Sequence, residues 1–249
     1  MSDTLNDPKV IPMIRGKAFE FSVMLMLNSV LPNEIWQAEK PVLNPQLGSH
    51  DKDVVLRHLP TGKSLSIECK LAGKETFRVK ASGICEIRVK CMRSRTLGAE
   101  MVRELAPKKG VSETDLSVHN DQYLADDFDV VITSLANAFY RTNEEGAFIW
   151  QPSNREEAFL TSILTDTKQP LKDFAFFRMY VAESSSLVVS RANGVQCSRR
   201  KCANPKNCGF IPNYPTIKFQ HGNGRPLQRW IPIEESEDLF LRLIKSRGK

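Results

Sequence analysis

The stretch HDKDVVLRHLPTGKSLSIECK, residues 50–70, decides how this chain folds. Its second half alternates. Leu65, Ile67 and Cys69 point one way, and Ser64, Ser66, Glu68 and Lys70 the other, because strand side chains have a period of two. Asp53 to Leu59 reads as the partner strand of a hairpin, with Leu59-Pro60-Thr61-Gly62 as a type I turn. With Leu59 facing Gly62, Asp53 stands opposite Glu68 and Asp51 opposite Lys70. Opposed residues have Cβ atoms about 4.5–5.5 Å apart, so two carboxylates there repel. A divalent cation removes that cost, and Mg²⁺ takes carboxylate oxygens while keeping waters and a substrate phosphate. Lys70 projects from the same face as Glu68. It is suited to orienting or deprotonating a water and to offsetting negative charge on a reacting phosphate. Asp51 is the rival ligand; Asp53 is preferred because the apolar strand follows it directly. The plain structural alternative is an exposed hairpin braced by an Asp51–Lys70 ion pair.

Outward from the hairpin, helix and strand patterns alternate. Arg15 to Leu31 has Phe19, Val23, Met26 and Val30 at helical spacing and stops at Pro32. Glu20 aligns with Met24, Leu27 and Leu31, which points it inward, and a glutamate on an apolar stripe needs a metal or water to satisfy it. Arg93 to Leu105 reads as a helix ending before Pro107, Asp129 to Thr133 as a buried strand, Arg155 to Leu164 as a helix and Ala175 to Ala182 as a strand. The expectation is an α/β (α+β) domain, a central mixed sheet flanked by helices. The core spans 1–195, a loop-rich Cys-containing insert spans 196–226, and a C-terminal segment, 227–249, packs on the core.

An Asp opening an apolar strand, a turn, and then Ile67-Glu68-Cys69-Lys70 resembles the PD-(D/E)XK nuclease superfamily. The preceding helix with Gly16-Lys17-Ala18-Phe19-Glu20 is similar to that superfamily's N-terminal helix. No proline stands before the aspartate, a departure from the usual pattern. The resemblance covers about residues 15–70. It implies a restriction-endonuclease-like fold, with Asp53 and Glu68 as Mg²⁺ ligands, Lys70 as the catalytic lysine and Glu20 as an accessory acid. It further implies in-line attack of water on a DNA phosphodiester, leaving a 5′-phosphate and a 3′-hydroxyl. Among its members, the size and the lack of a P-loop fit a stand-alone type II restriction endonuclease acting as a homodimer on double-stranded DNA.

Cys197, Cys202 and Cys208 lie in CSRRKCANPKNC, a pattern that reads as a metal site. His221 is the natural fourth ligand of a structural Zn²⁺ site; His50, His58 and His119 suggest none. Three free thiols, or an iron–sulfur cluster completed by Cys69, Cys85 or Cys91, are the alternatives. The chain has 35 Lys+Arg and 29 Asp+Glu, a net charge of +6. That total only permits a polyanion partner, but its distribution says more. Residues 70–109 hold eleven basic and four acidic residues, 191–231 eight basic and none acidic, and 111–129 six acidic and none basic. Two basic blocks around an acidic one suggest a cationic side. Lys90, Arg93, Arg95, Arg199, Arg200 and Lys201 are the candidate DNA contacts. No apolar run is long enough to span a membrane. The polar, acidic N-terminus reads as no secretory signal, so a cytoplasmic protein is expected. Two other functions fit the same residues. One is a repair or recombination nuclease of the superfamily, and the other a non-catalytic zinc-containing DNA-binding module.

Overall fold

The computed structural model describes residues 10–41, 52–164, 168–220 and 222–247. The chain opens with α1 (Val10–Val30), β1 (Trp36–Glu39), β2 (Val54–His58) and β3 (Ser64–Cys69), followed by β4 (Arg78–Val79) and β5 (Cys85–Arg88). Two helices, α2 (Ala99–Lys108) and α3 (Glu113–Val118), precede β6 (Tyr123–Leu124), β7 (Val130–Ser134), β8 (Tyr140–Thr142) and β9 (Phe148–Trp150). Next come α4 (Asn154–Ile163), α5 (Leu171–Phe177), β10 (Met179–Glu183) and α6 (Ser184–Leu187). The remainder is β11 (Phe210–Ile211), β12 (Thr216–Phe219), β13 (Ile231–Pro232) and α7 (Glu237–Ser246).

Six strands form the central sheet in the order β1-β2-β3-β7-β10-β13. It is mixed: β3 runs parallel to β7, and the other neighbours are antiparallel. Strand β7 shows why the sheet is central. All five of its residues are buried, as expected of a strand covered on both faces. Val130 and Ile132 join Phe19, Val23 and Leu27 of α1 and Phe240 of α7 in one core. Val131 faces the other core, with Phe159 of α4, Phe174 of α5 and Phe219 of β12. The mixed α/β architecture of the sequence reading is therefore present. No helix of the described residues is long and apolar enough to cross a membrane.

The hairpin holds its expected register, with Val54 paired to Ile67 and Leu56 to Leu65. The turn differs in detail. It begins at His58, whose carbonyl accepts from the amides of Thr61 at 3.3 Å and Gly62 at 2.9 Å. Gly62 takes φ 67°, the left-handed conformation that glycine adopts most cheaply. The loop length is unchanged, so the pairing is unchanged. His58 is structural: its Nδ1 lies 2.8 Å from the Thr61 hydroxyl, and its ring lies against Trp36.

Helix α1 starts earlier than expected, at Val10, and buries Phe19, Val23 and Leu27, with Leu31 buried just after its end, while Met26 and Val30 pack at the margin. The expected helix from Arg93 is replaced by one that starts at Ala99 and carries Pro107 in its last turn. Residues 93 and 97 instead donate their amides to the carbonyls of Asp121 and Asn120. The expected strand from Ala175 begins only at Met179, because Leu171–Phe177 is helical. Leu171, Phe174 and Ala175 have the spacing of a helix face, and the latter two are buried.

Within 196–226, β11 pairs with β6 and β12 with β5, so this segment enters two small sheets of the body. Among the described residues, 196–208 carries no helix or strand. In the C-terminal segment, α7 packs Leu239, Phe240 and Ile244 into the α1 core.

Candidate active site

The hairpin, the N-terminal helix and the end of β1 bring Glu20, Lys40, Asp53, Glu68 and Lys70 together. Continuing the β2–β3 register places Asp53 beside Glu68. Asp53 Oδ2 accepts the Cys69 amide at 2.9 Å. Glu20 is 6% exposed and forms ion pairs with Lys40 and, at 3.0 Å, with Lys17. Lys40 also reaches the Asp53 carbonyl at 3.4 Å. Glu68 Oε1 receives Lys70 Nζ at 2.7 Å and the Tyr123 hydroxyl at 2.8 Å. Asp51 lies outside the described residues.

Two oxygens are left over. Among the described residues, Asp53 Oδ1 and Glu68 Oε2 have no hydrogen-bond partner, and Asp53 forms no ion pair. The Asp53 carboxyl is pushed up to about 7, first by burial and then by Glu68, with Glu20 adding to the effect. The Cys69 amide and Lys70 pull the other way but do not prevail. Burial opposes the charge on Lys70, yet Glu68 outweighs it and holds the ammonium protonated. Tyr123 is pushed up by burial and by Glu68, so its phenol stays neutral and donates. An acid held partly protonated by burial and by acidic neighbours, with unused hard oxygen donors, suits a divalent cation.

Sequence reading missed Lys40 and Tyr123. Lys40 follows a short edge strand with no motif around it, and Tyr123 sits in the acidic stretch, 55 residues from Glu68. Nothing local marks either one.

A second site lies apart from the first. His119, Cys197, Cys202 and Cys208 place their ligand atoms within 4.8 Å of one another. This group can hold a metal such as zinc. Burial pushes the Cys208 thiol up to about 12, with Cys197 and Cys202 adding to it, and burial also raises Cys197, with Cys202 adding to it. A cation would remove that resistance to ionisation. Here the structure corrects the sequence reading, which set His119 aside. The fourth ligand-type side chain is His119, delivered by the turn after α3, and the expected His221 lies outside the described residues. Cys85 and Cys91 are buried in a core, and Cys69 lies beside Asp53, so none of the three joins this group.

The basic candidates divide into two kinds. Lys90, Arg95, Arg200 and Lys201 are exposed. Arg93 instead binds Asp127 at 2.6 Å and stacks over Tyr123, and Arg199 pairs with Asp121. The acidic block is the reason. Asp121, Asp127 and Asp129 hold Arg199, Arg93 and Arg247, and Lys109 lies 3.0 Å from Asp126 and 2.8 Å from Asp127. Much of that block is the internal counter-charge of the basic ones.

No family model, curated protein or solved structure matches the chain.

Proposed function

We propose that this chain is a Mg²⁺-dependent endonuclease that hydrolyses phosphodiester bonds of double-stranded DNA, of the type II restriction kind and with a restriction-endonuclease-like core. The observation that carries the proposal is the pair of unpartnered oxygens, Asp53 Oδ1 and Glu68 Oε2, beside a protonated Lys70.

Asp53 and Glu68 would hold the Mg²⁺, with Glu20 as the accessory acid. The ion supplies positive charge at the phosphate and makes water a better nucleophile at neutral pH. Lys70, kept charged by Glu68, offsets the negative charge that grows on the phosphate oxygens. Held protonated, it acts as a donor and not as the base that sequence reading left open. Lys70 and Tyr123 share one oxygen of Glu68 and thereby orient the other. Lys40 balances Glu20 and fixes the Asp53 backbone, which lets three acids coexist on one partly buried face. The exposed Lys90, Arg95, Arg200 and Lys201 are suited to binding phosphates along a duplex.

The homodimer implied by the resemblance and a cytoplasmic location belong to the same proposal. One active site per strand makes double-strand breaks from two copies, and sedimentation with and without DNA measures the copy number. Supercoiled plasmid incubated with Mg²⁺ tests the activity. Discrete fragments are expected. Smears would indicate an exonuclease of the repair kind, and intact plasmid across varied DNA and divalent metals would leave only the non-catalytic binding module.

A further inference from the structure

We propose that His119, Cys197, Cys202 and Cys208 form a closed tetrahedral Zn²⁺ centre. Its role is to fasten the 197–208 loop to the 119–123 turn and so position Tyr123 against Glu68. The positioning role rests on the reading of Glu68 as a site residue; the metal centre does not.

Three thiols and one imidazole nitrogen are a donor set that Zn²⁺ takes in structural, four-coordinate sites, with Zn–S near 2.3 Å and Zn–N about 2.0–2.1 Å. The four ligand atoms already lie within 4.8 Å of one another. A four-iron cluster is too bulky for donors this close. The histidine is prepared for the role. His119 Nδ1 lies 2.7 Å from the Asp115 carbonyl, which fixes the proton there and leaves the Nε2 lone pair bare. Nε2 lies 3.5 Å from Cys197 Sγ. The ring is fully buried and stacked on Phe210, centroids 4.2 Å apart and planes 6° from parallel. It cannot swing away. Cys197 Sγ also accepts the Arg199 amide at 3.4 Å, an interaction that favours a thiolate.

The loop needs such a tie. It has no helix or strand of its own, and few internal backbone bonds, such as Cys197 amide to Pro205 carbonyl at 2.8 Å. Metal binding supplies the folding energy that a missing core does not.

The consequence follows along five residues. Asp121 pairs with Arg199 of the loop and accepts Asn213 Nδ2 at 2.8 Å. Gln122 Nε2 donates to the Ile211 carbonyl at 3.0 Å, and Tyr123 pairs with Ile211 across β6 and β11. Tyr123 then donates to Glu68. The segment that supplies the histidine ligand thus supplies the phenol that orients a candidate Mg²⁺ ligand. Tyr123 is a positioning residue.

Cobalt substitution and hydrogen exchange test the metal centre without any cleavage assay, and a cleavage titration tests the positioning of Tyr123. Expected is saturation at one Co²⁺ per chain, with thiolate-to-metal charge transfer and the visible bands of a tetrahedral ion. His119→Ala should bind Co²⁺ at least tenfold more weakly. Because His119 is buried, Cys202→Ser, at a partly exposed position, serves as the second variant and should show the same loss with unchanged far-UV circular dichroism. Zn²⁺ should slow amide exchange across residues 119–123 at least tenfold. Tyr123→Phe should bind Co²⁺ like the wild type but need several-fold more Mg²⁺ for half-maximal cleavage. The proposal is overturned if Co²⁺ does not saturate at one equivalent, if both ligand variants bind it unchanged, or if Zn²⁺ leaves exchange at 119–123 unaltered. A wild type that binds Co²⁺ as expected yet cuts no DNA would instead remove the nuclease reading.

Discussion

At Asp53 a single carboxyl group is partly buried between two other acids without an ion-pair partner of its own. Its value of about 7 in the fold, against 3.8 ordinarily, gives a signed prediction. The folded state binds a proton there more tightly than the unfolded state. The stabilisation is therefore complete below about pH 4 and is lost as pH rises through about 7. Without divalent metal, the wild type should lose stability over that range by an amount on the order of a few kcal/mol. Thermal melts should show the loss, and Asp53→Asn should flatten it. Adding Mg²⁺ at pH 8 should raise the melting temperature of the wild type but not of Asp53→Asn. Lys70 makes a separate prediction. Lys70→Gln should lower kcat by about 10²–10³-fold, the usual cost of removing one transition-state donor, with DNA affinity within twofold in a gel-shift titration.

Helix α4 shows how an element secures its own end. Ser153 donates its amide at 2.7 Å and its hydroxyl at 2.9 Å to Glu156, and Arg141 closes on the same carboxylate at 2.6 Å. Burial works against the charge on Glu156, but Arg141 and Ser153 outweigh it and lower its pKa. The sign is opposite to that of Asp53. This contribution is present above the ordinary glutamate range and is lost as pH falls through the lowered value. Glu156→Ala should cost about 3 kcal/mol in urea unfolding at pH 7, since it leaves Arg141 unpaired beside a loosened cap. Elements set by nearby residues were legible in the sequence. The hairpin register followed from strand alternation and loop length, β7 from an unbroken apolar run, and α4 from its spacing. The helix–strand switch at 177–179 was not, because the aromatic run around Phe174, Phe176 and Phe177 fits either period until its burial is known.

Across the whole molecule, what stayed illegible is what joins distant residues. His119 and Cys197 are 78 positions apart, as are Asp121 and Arg199, and no periodicity connects them. The three thiols marked a candidate metal site, but the fold supplied its fourth ligand-type side chain, His119. Charge blocks suggested a cationic side, yet part of each block is neutralised internally. Substitutions of the six basic candidates should therefore separate. Replacing Lys90, Arg95, Arg200 and Lys201 by Ala should weaken DNA binding and reduce the dependence of log K on log salt by about 0.9 for each phosphate no longer neutralised. Arg93→Ala and Arg199→Ala should instead lower the melting temperature, because each removes a charged partner from a partly buried aspartate. The most direct test of the nuclease site is cleavage of an end-labelled DNA duplex with Mg²⁺, comparing the wild type with Glu68→Gln at matched DNA occupancy. The wild type should release 5′-phosphate ends and Glu68→Gln should release none. Equal cleavage by the two would contradict the assignment of the site.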